Sequence, residues 1–136
     1  MEQKPRVGIG VLLRHNGKIL LGKRKGSHGD GTWAPPGGHL EFKEELEECV
    51  RREVQEETNL AVKNIHFGTI TNDVFVNEEK HYITIFMVCD YAAGELKIME
   101  SQKCEEWKWF RWDEIPRPLF LSFENLLKKK FTPFAS

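Results

Sequence analysis

The chain has 136 residues, 40% of them hydrophobic and 30% charged, and a formal net charge of -1. That length suits one domain, residues 1–136, able to bury a core without disulfides or a structural metal. Near-neutral charge excludes a typical binder of nucleic-acid polymers, which needs a basic excess to neutralise phosphates.

No segment reaches membrane-spanning length, and the start, MEQKPRVGIG, is not expected to act as a signal peptide. Cys49, Cys89 and Cys104 share no CxxC spacing and read as reduced thiols, so the expected compartment is the cytoplasm.

Taken in chain order, RVGIGVLLRHNGKILLGKRK holds two apolar runs joined by Asn16-Gly17, the dipeptide of a type I′ hairpin turn. GSHGDGTWAPPGGH is dense in Gly and Pro and reads as a loop. Glu44 to Thr58 carries neither Gly nor Pro and is expected to be helical. NIHFGTITNDVFV and HYITIFMVCDYAA are β-branched and aromatic. Within the second, the run Ile83 to Cys89 predicts a strand covered on both faces. EEWKWFRWDEIP reads as a short strand and a turn at Asp113, and PLFLSFENLLKKK as a C-terminal helix with a basic end. The elements together give a mixed α/β or α+β domain.

The first helix carries the chemistry. At about 100° per residue, Leu46, Cys49, Val50 and Val54 share one apolar stripe, and Glu47, Glu48, Arg51 and Gln55 face away from it. Glu47 with Arg51, and Glu48 with Arg52, are spaced for ordinary surface ion pairs. Glu53 and Glu57 fall within the apolar stripe and Glu56 at its edge. Like charges so placed repel, and a lone buried carboxylate is costly. Such acids must be protonated, paired with Arg52 as a charged rim, or share a cation. The hard oxygen donors of three carboxylates suit Mg²⁺ or Mn²⁺. Gly37-Gly38 just upstream permits close backbone approach to a ligand.

These residues resemble a known family. Gly38, five residues, Glu44, seven residues, then Arg52-Glu53-Val54-Gln55-Glu56-Glu57-Thr58-Asn59-Leu60 is similar to the Nudix box, G-x5-E-x7-R-E-U-x-E-E-x-G-U, with U a bulky aliphatic residue. Asn59 stands where the box has glycine, and Asn is the residue that best tolerates left-handed backbone after Gly. LLGKRKGS, PPGGHLEF, HYITIF, KCEEWKWFRWDEIPRPLF and FTPF extend the likeness to the small MutT-like Nudix hydrolases over nearly the whole chain. Lys43 is a second departure, since that subgroup more often has glycine before the box glutamate.

The resemblance implies an α/β/α sandwich around a mixed sheet, and Mg²⁺-dependent hydrolysis of a nucleoside diphosphate linked to another group, with Mn²⁺ able to substitute. It implies Glu53 and Glu57 as principal metal ligands, with Glu56 and the Gly37 carbonyl contributing. Glu53 is expected to be the general base, with Glu56 second. Arg52 would orient a box glutamate and Glu44 would brace the loop–helix junction. Glu105 or Glu106 could approach the metals; a solvated acidic turn is the competing role.

Arg24, Gly38, His39, Thr84 and Phe120 match substrate-pocket positions of the subgroup. For His39, Arg24, Thr84 and Phe120, loop, surface, sheet and core roles compete in turn. Trp33, Trp107, Trp109 and Trp112 could stack on a base, although core packing is the more usual role. The expected substrates are nucleoside triphosphates such as dGTP and 8-oxo-dGTP, cut to monophosphate and pyrophosphate. Isoprenyl diphosphates, which need an apolar tunnel, and NADH or ADP-ribose are alternatives. A Nudix-type sensor without catalysis is a further alternative, and the intact acids argue against it. The subgroup also implies a homodimer.

Overall fold

The computed structural model describes residues 3–26 and 28–134. β1 (Arg6–His15) and β2 (Lys18–Arg24) form the expected hairpin. Asn16 and Gly17 sit at φ 52° and 77°, the left-handed pair that a two-residue I′ turn requires.

The segment expected to be a loop contains two short strands, β3 (Trp33–Ala34) and β4 (Gly37–His39). Local composition conceals them because their order comes from backbone pairing with distant strands. β1 and β2 pair only beside the turn, at Arg14↔Ile19 and His15↔Lys18, and then diverge. β3 pairs with β2, while β4 pairs with β1 through Gly8↔His39, Ile9↔Gly38 and Gly10↔Gly37. Residues 33–39 thus bridge a fork in the sheet.

The helix α1 runs Leu46–Thr58, starting two residues later than expected. Lys43 at φ 67° turns the chain, and the Glu44 side chain folds back onto the Glu41 N–H (3.0 Å). Its far end is closed by Asn59 at φ 68°. Both departures from the family pattern therefore adopt the backbone that glycine would supply.

β5 (Ala61–Phe75) and β6 (Lys80–Ala93) form a long antiparallel pair, and β6 runs parallel to β1 from Arg6↔Tyr82 to Arg14↔Asp90. β7 (Cys104–Arg111) covers the outer side of β2. A 3-10 turn at Trp112–Glu114 and the short helix α2 (Leu121–Leu127) complete the order. The expected basic end, Lys128 to Lys130, lies beyond α2.

The helices lie on opposite faces of this mixed sheet. Ile9, Val11, Leu13, Met87 and Cys89 pack with Cys49, Val50 and Val54 of α1. Leu12, Phe86 and Val88 pack with Phe123 and Leu126 of α2. Side chains of successive β6 residues therefore reach alternate cores, which is why Ile83 to Cys89 reads as one apolar run. Full burial of each large aliphatic or aromatic side chain contributes about 1.5–3 kcal/mol. Among the described residues no helix is long and apolar enough to cross a membrane.

Candidate active site

The helical wheel places the acids correctly: Cys49, Val50, Glu53 and Val54 are buried, and Glu53 is only 8% exposed. The expected surface pairs do not form among the described residues. Arg51 donates to the Val62 carbonyl (2.9 Å), and Glu48 accepts the Glu45 N–H (2.9 Å). Arg52 is drawn inward instead. Its Nε and Nη2 grip the two oxygens of Glu44 (2.8 and 3.0 Å), while Nη1 donates to Glu53 (2.6 Å) and Glu56 (3.0 Å). Nη2 also reaches the His39 carbonyl (3.1 Å). The hydrogen bonds from Arg52 hold the Glu44 carboxyl down at a pKa of about 2.

Glu53 and Glu57 are one helical turn apart on α1, and both line the same cavity. Burial raises the pKa of both, and the Glu53 charge raises that of Glu57 further. The Gly37 N–H points at Glu57 Oε1 (3.4 Å). A Cβ on Gly38 would collide with the Glu53 carboxylate, and one on Gly37 with the Ile9 carbonyl. Gly38 therefore creates the space that the Glu53 carboxylate occupies, and Gly37 lets the chain lie close against β1.

Among the described residues no three His, Cys, Asp or Glu side chains are grouped so as to hold a metal ion, and Glu56 is exposed and turned to Arg52. A pair of carboxylates beside bare backbone is what remains. It fits Mg²⁺, which is commonly held by one or two carboxylates and completes its shell with substrate phosphate and water.

The acids line one side of a cavity of about 470 Å³, together with Arg52, Gly37, Gly38 and His39. Across it, Arg24, Thr84 and Phe120 from the sequence reading, with Trp107, one of its base-stacking candidates, meet His28, Phe75 and Tyr82, which that reading did not assign there. The Arg24 guanidinium lies 4.3 Å from the Phe120 ring centroid, and its Nε donates to the His28 carbonyl (3.1 Å). His39 stacks on Tyr82 and bonds its hydroxyl (3.0 Å). His28 pairs with Glu78, joining the loop before β3 to the turn after β5. This is a charged, open chamber rather than a closed apolar tunnel.

A loop between β6 and β7 adds Glu100 and Lys103 to the wall. It is tied to the end of α1 by Lys97 N–H to the Thr58 carbonyl (3.0 Å) and Met99 N–H to the Glu57 carbonyl (3.3 Å). The Asn59 side chain adds a bond to the Glu95 carbonyl (3.0 Å). Glu105 and Glu106 are exposed and line no part of the cavity. Trp107 lines it in regular register opposite Gly22, and the register shift at Lys23/Arg24 puts Cys104 there in place of Glu105. The three cysteines are unpaired, and burial pushes the Cys49 and Cys89 thiols up to about 12, which leaves them poor nucleophiles. Trp33, Trp109 and Trp112 pack in the cores, as aromatic residues usually do.

The NUDIX domain model matches residues 4–131. The chain belongs to the NUDIX family. This Nudix chain is 33% identical over 124 residues to the ADP-ribose pyrophosphatase of Methanocaldococcus jannaschii, covering 91% of itself and 72% of that protein. It is 34% identical to the oxidized purine nucleoside triphosphate hydrolase of Danio rerio, over 78% of itself and 66% of the relative. In three dimensions it is similar to a MutT NUDIX hydrolase from Burkholderia pseudomallei, with a TM-score of 0.84, 29% identity, and coverage of 92% of this chain and 95% of the other. By family and by the names of these relatives it is a pyrophosphohydrolase.

Proposed function

We propose that this Nudix hydrolase cleaves nucleoside triphosphates of the dGTP and 8-oxo-dGTP kind to monophosphate and pyrophosphate. The observation that carries the reading is one cavity with a carboxylate pair on one side and the Arg24–Phe120 stack on the other. Phosphates fit between acids and cations only with a metal beside the acids, and the aromatic side suits a base.

Glu53 and Glu57, with the Gly37 backbone, would hold Mg²⁺ or Mn²⁺, and Glu56, turned to Arg52, stands outside that pair. Such an ion supplies charge neutralisation for the pyrophosphate and a lower pKa for water. Glu53 accepts the proton of the attacking water as the new P–O bond forms and the bridging P–O bond breaks. Arg52 keeps Glu53 in place through its 2.6 Å bond and is itself anchored by Glu44. Arg24 meets substrate oxygen, Phe120 stacks on the base, and Gly38, His39 and Thr84 complete the chamber.

A second reading, hydrolysis of ADP-ribose or NADH, is favoured by the archaeal relative's name. The test is turnover of a panel of dNTPs, 8-oxo-dGTP, ADP-ribose, NADH and geranyl diphosphate with Mg²⁺. Highest kcat/KM on a triphosphate supports the first reading. Preference for ADP-ribose or geranyl diphosphate replaces it, and no turnover of any points to a sensor. The implied homodimer would sediment at twice 15.9 kDa.

A further inference from the structure

Asp73 on β5 is fully buried, yet no arginine, lysine or histidine touches it among its described hydrogen-bond partners. Three neutral donors satisfy it. Thr84 Oγ1 donates to Oδ2 at 2.5 Å, Thr71 Oγ1 donates to the same oxygen at 3.1 Å, and Asn125 Nδ2 donates to Oδ1 at 2.9 Å. The cost of burying this group without a counter-charge calls for a reason.

Thr84 supplies one. It lines the cavity and is paired in register with Gly8 of β1, which also lines it. Its Oγ1 lies 3.8 Å from where a Gly8 Cβ would stand, so the oxygen borders the space that glycine leaves open. A carboxylate accepts hydrogen bonds and donates none. With its proton committed to Asp73, the Thr84 hydroxyl offers the cavity lone pairs only.

We infer that Asp73 is a positioning residue for specificity: it fixes Thr84 as an acceptor, so the cavity floor selects a nucleobase edge that carries an N–H donor. A ligand edge presenting only acceptors leaves two sets of lone pairs opposed, which is how polar pockets reject analogues lacking one donor. The Asn125 bond ties the same carboxylate to α2, the helix that follows Phe120, so floor and stacking wall share one anchor.

This inference rests on the nucleotide reading above, and its test separates the two. kcat/KM is measured for dGTP against dITP, which lacks the 2-amino group, and for dATP against the triphosphate of purine 2′-deoxyriboside, which lacks the 6-amino group. Wild type is expected to lose at least about tenfold on one of the deletions. In Asp73→Leu no acceptor faces Thr84, the hydroxyl proton is free to turn to the cavity, and the discrimination falls below about threefold. Thr84→Val loses it too, while Thr84→Ser keeps it.

Equal use of both pairs by wild type overturns the inference, as does undiminished discrimination in a folded Asp73→Leu. If Asp73→Leu gives no cooperative melt, Thr84→Val decides: retained discrimination overturns the inference, and loss of it there with retention in Thr84→Ser supports it. Wild type that turns over none of the four nucleotides would instead remove the nucleotide reading itself.

Discussion

The two sides of the cavity are built in opposite ways. The carboxylate side comes from one continuous stretch, Gly37 to Glu57, whose geometry a helix and a double glycine impose locally. The aromatic side gathers Arg24 from β2, Phe75 from β5, Tyr82 and Thr84 from β6, and Phe120 from the approach to α2. The contrast teaches that reaction chemistry here is a local property of the chain, and substrate choice a property of its tertiary packing.

The comparison breaks most sharply at Glu53. Glu53→Gln is expected to lower kcat by about 10²–10⁴ with KM little changed, as for loss of a general base. Its Tm should hold or rise, because a charge that burial disfavours is removed. A variant with wild-type kcat would free Glu53 of its assigned role. On the other side, Phe120→Ala should raise KM about tenfold and spare kcat, since stacking on one base contributes about 1–3 kcal/mol. A fall in kcat alone would blur the division.

The same split governs pH. Glu53 and Glu57 have raised pKa values in the folded chain, so between the ordinary carboxylate range and those values the folded state binds more protons than the unfolded one. Metal-free protein must then lose Tm as pH rises through that window. Glu44 has the opposite sign: its pKa is held at about 2, so its contribution is present above about 4.5 and is lost as pH falls toward 2. Melting curves without metal from pH 3 to pH 9 test both signs, and a Tm that climbs across the upper range would contradict the first.

The smallest effects come from the two departures near the acids. Lys43→Gly relieves a left-handed residue and should be neutral to about 1 kcal/mol stabilising. Asn59→Gly keeps the backbone but loses the bond to the Glu95 carbonyl, and should cost about 1 kcal/mol. Chemical denaturation resolves the two, and stabilisation by Asn59→Gly would show that the side chain contributes nothing.

How much the sequence revealed follows the same line. Helical spacing was enough to put Glu53 among buried residues and half-buried Glu57 one turn on, and the Asn16-Gly17 turn and the run Ile83 to Cys89 were readable for equally local reasons. Strands β3 and β4 were hidden because Gly and Pro mask pairing that only the fork in the sheet provides. Phe75, Tyr82, Glu100 and Lys103 carried no local signal: each reaches the cavity through strand register or a loop tied to the end of α1. Glu105 was misplaced for the same reason, since a register irregularity in the β2–β7 pair cannot be seen in the sequence of β7 alone.

The central claim is that Glu53 and Glu57 form a divalent-cation site served by the Gly37-Gly38 backbone. Mn²⁺ binding followed by electron paramagnetic resonance, in wild type and in Glu57→Gln, tests it most directly. The account predicts saturable binding by wild type that tightens as pH rises, and at least about tenfold weaker binding by the variant. Equal affinity in the two proteins would contradict it.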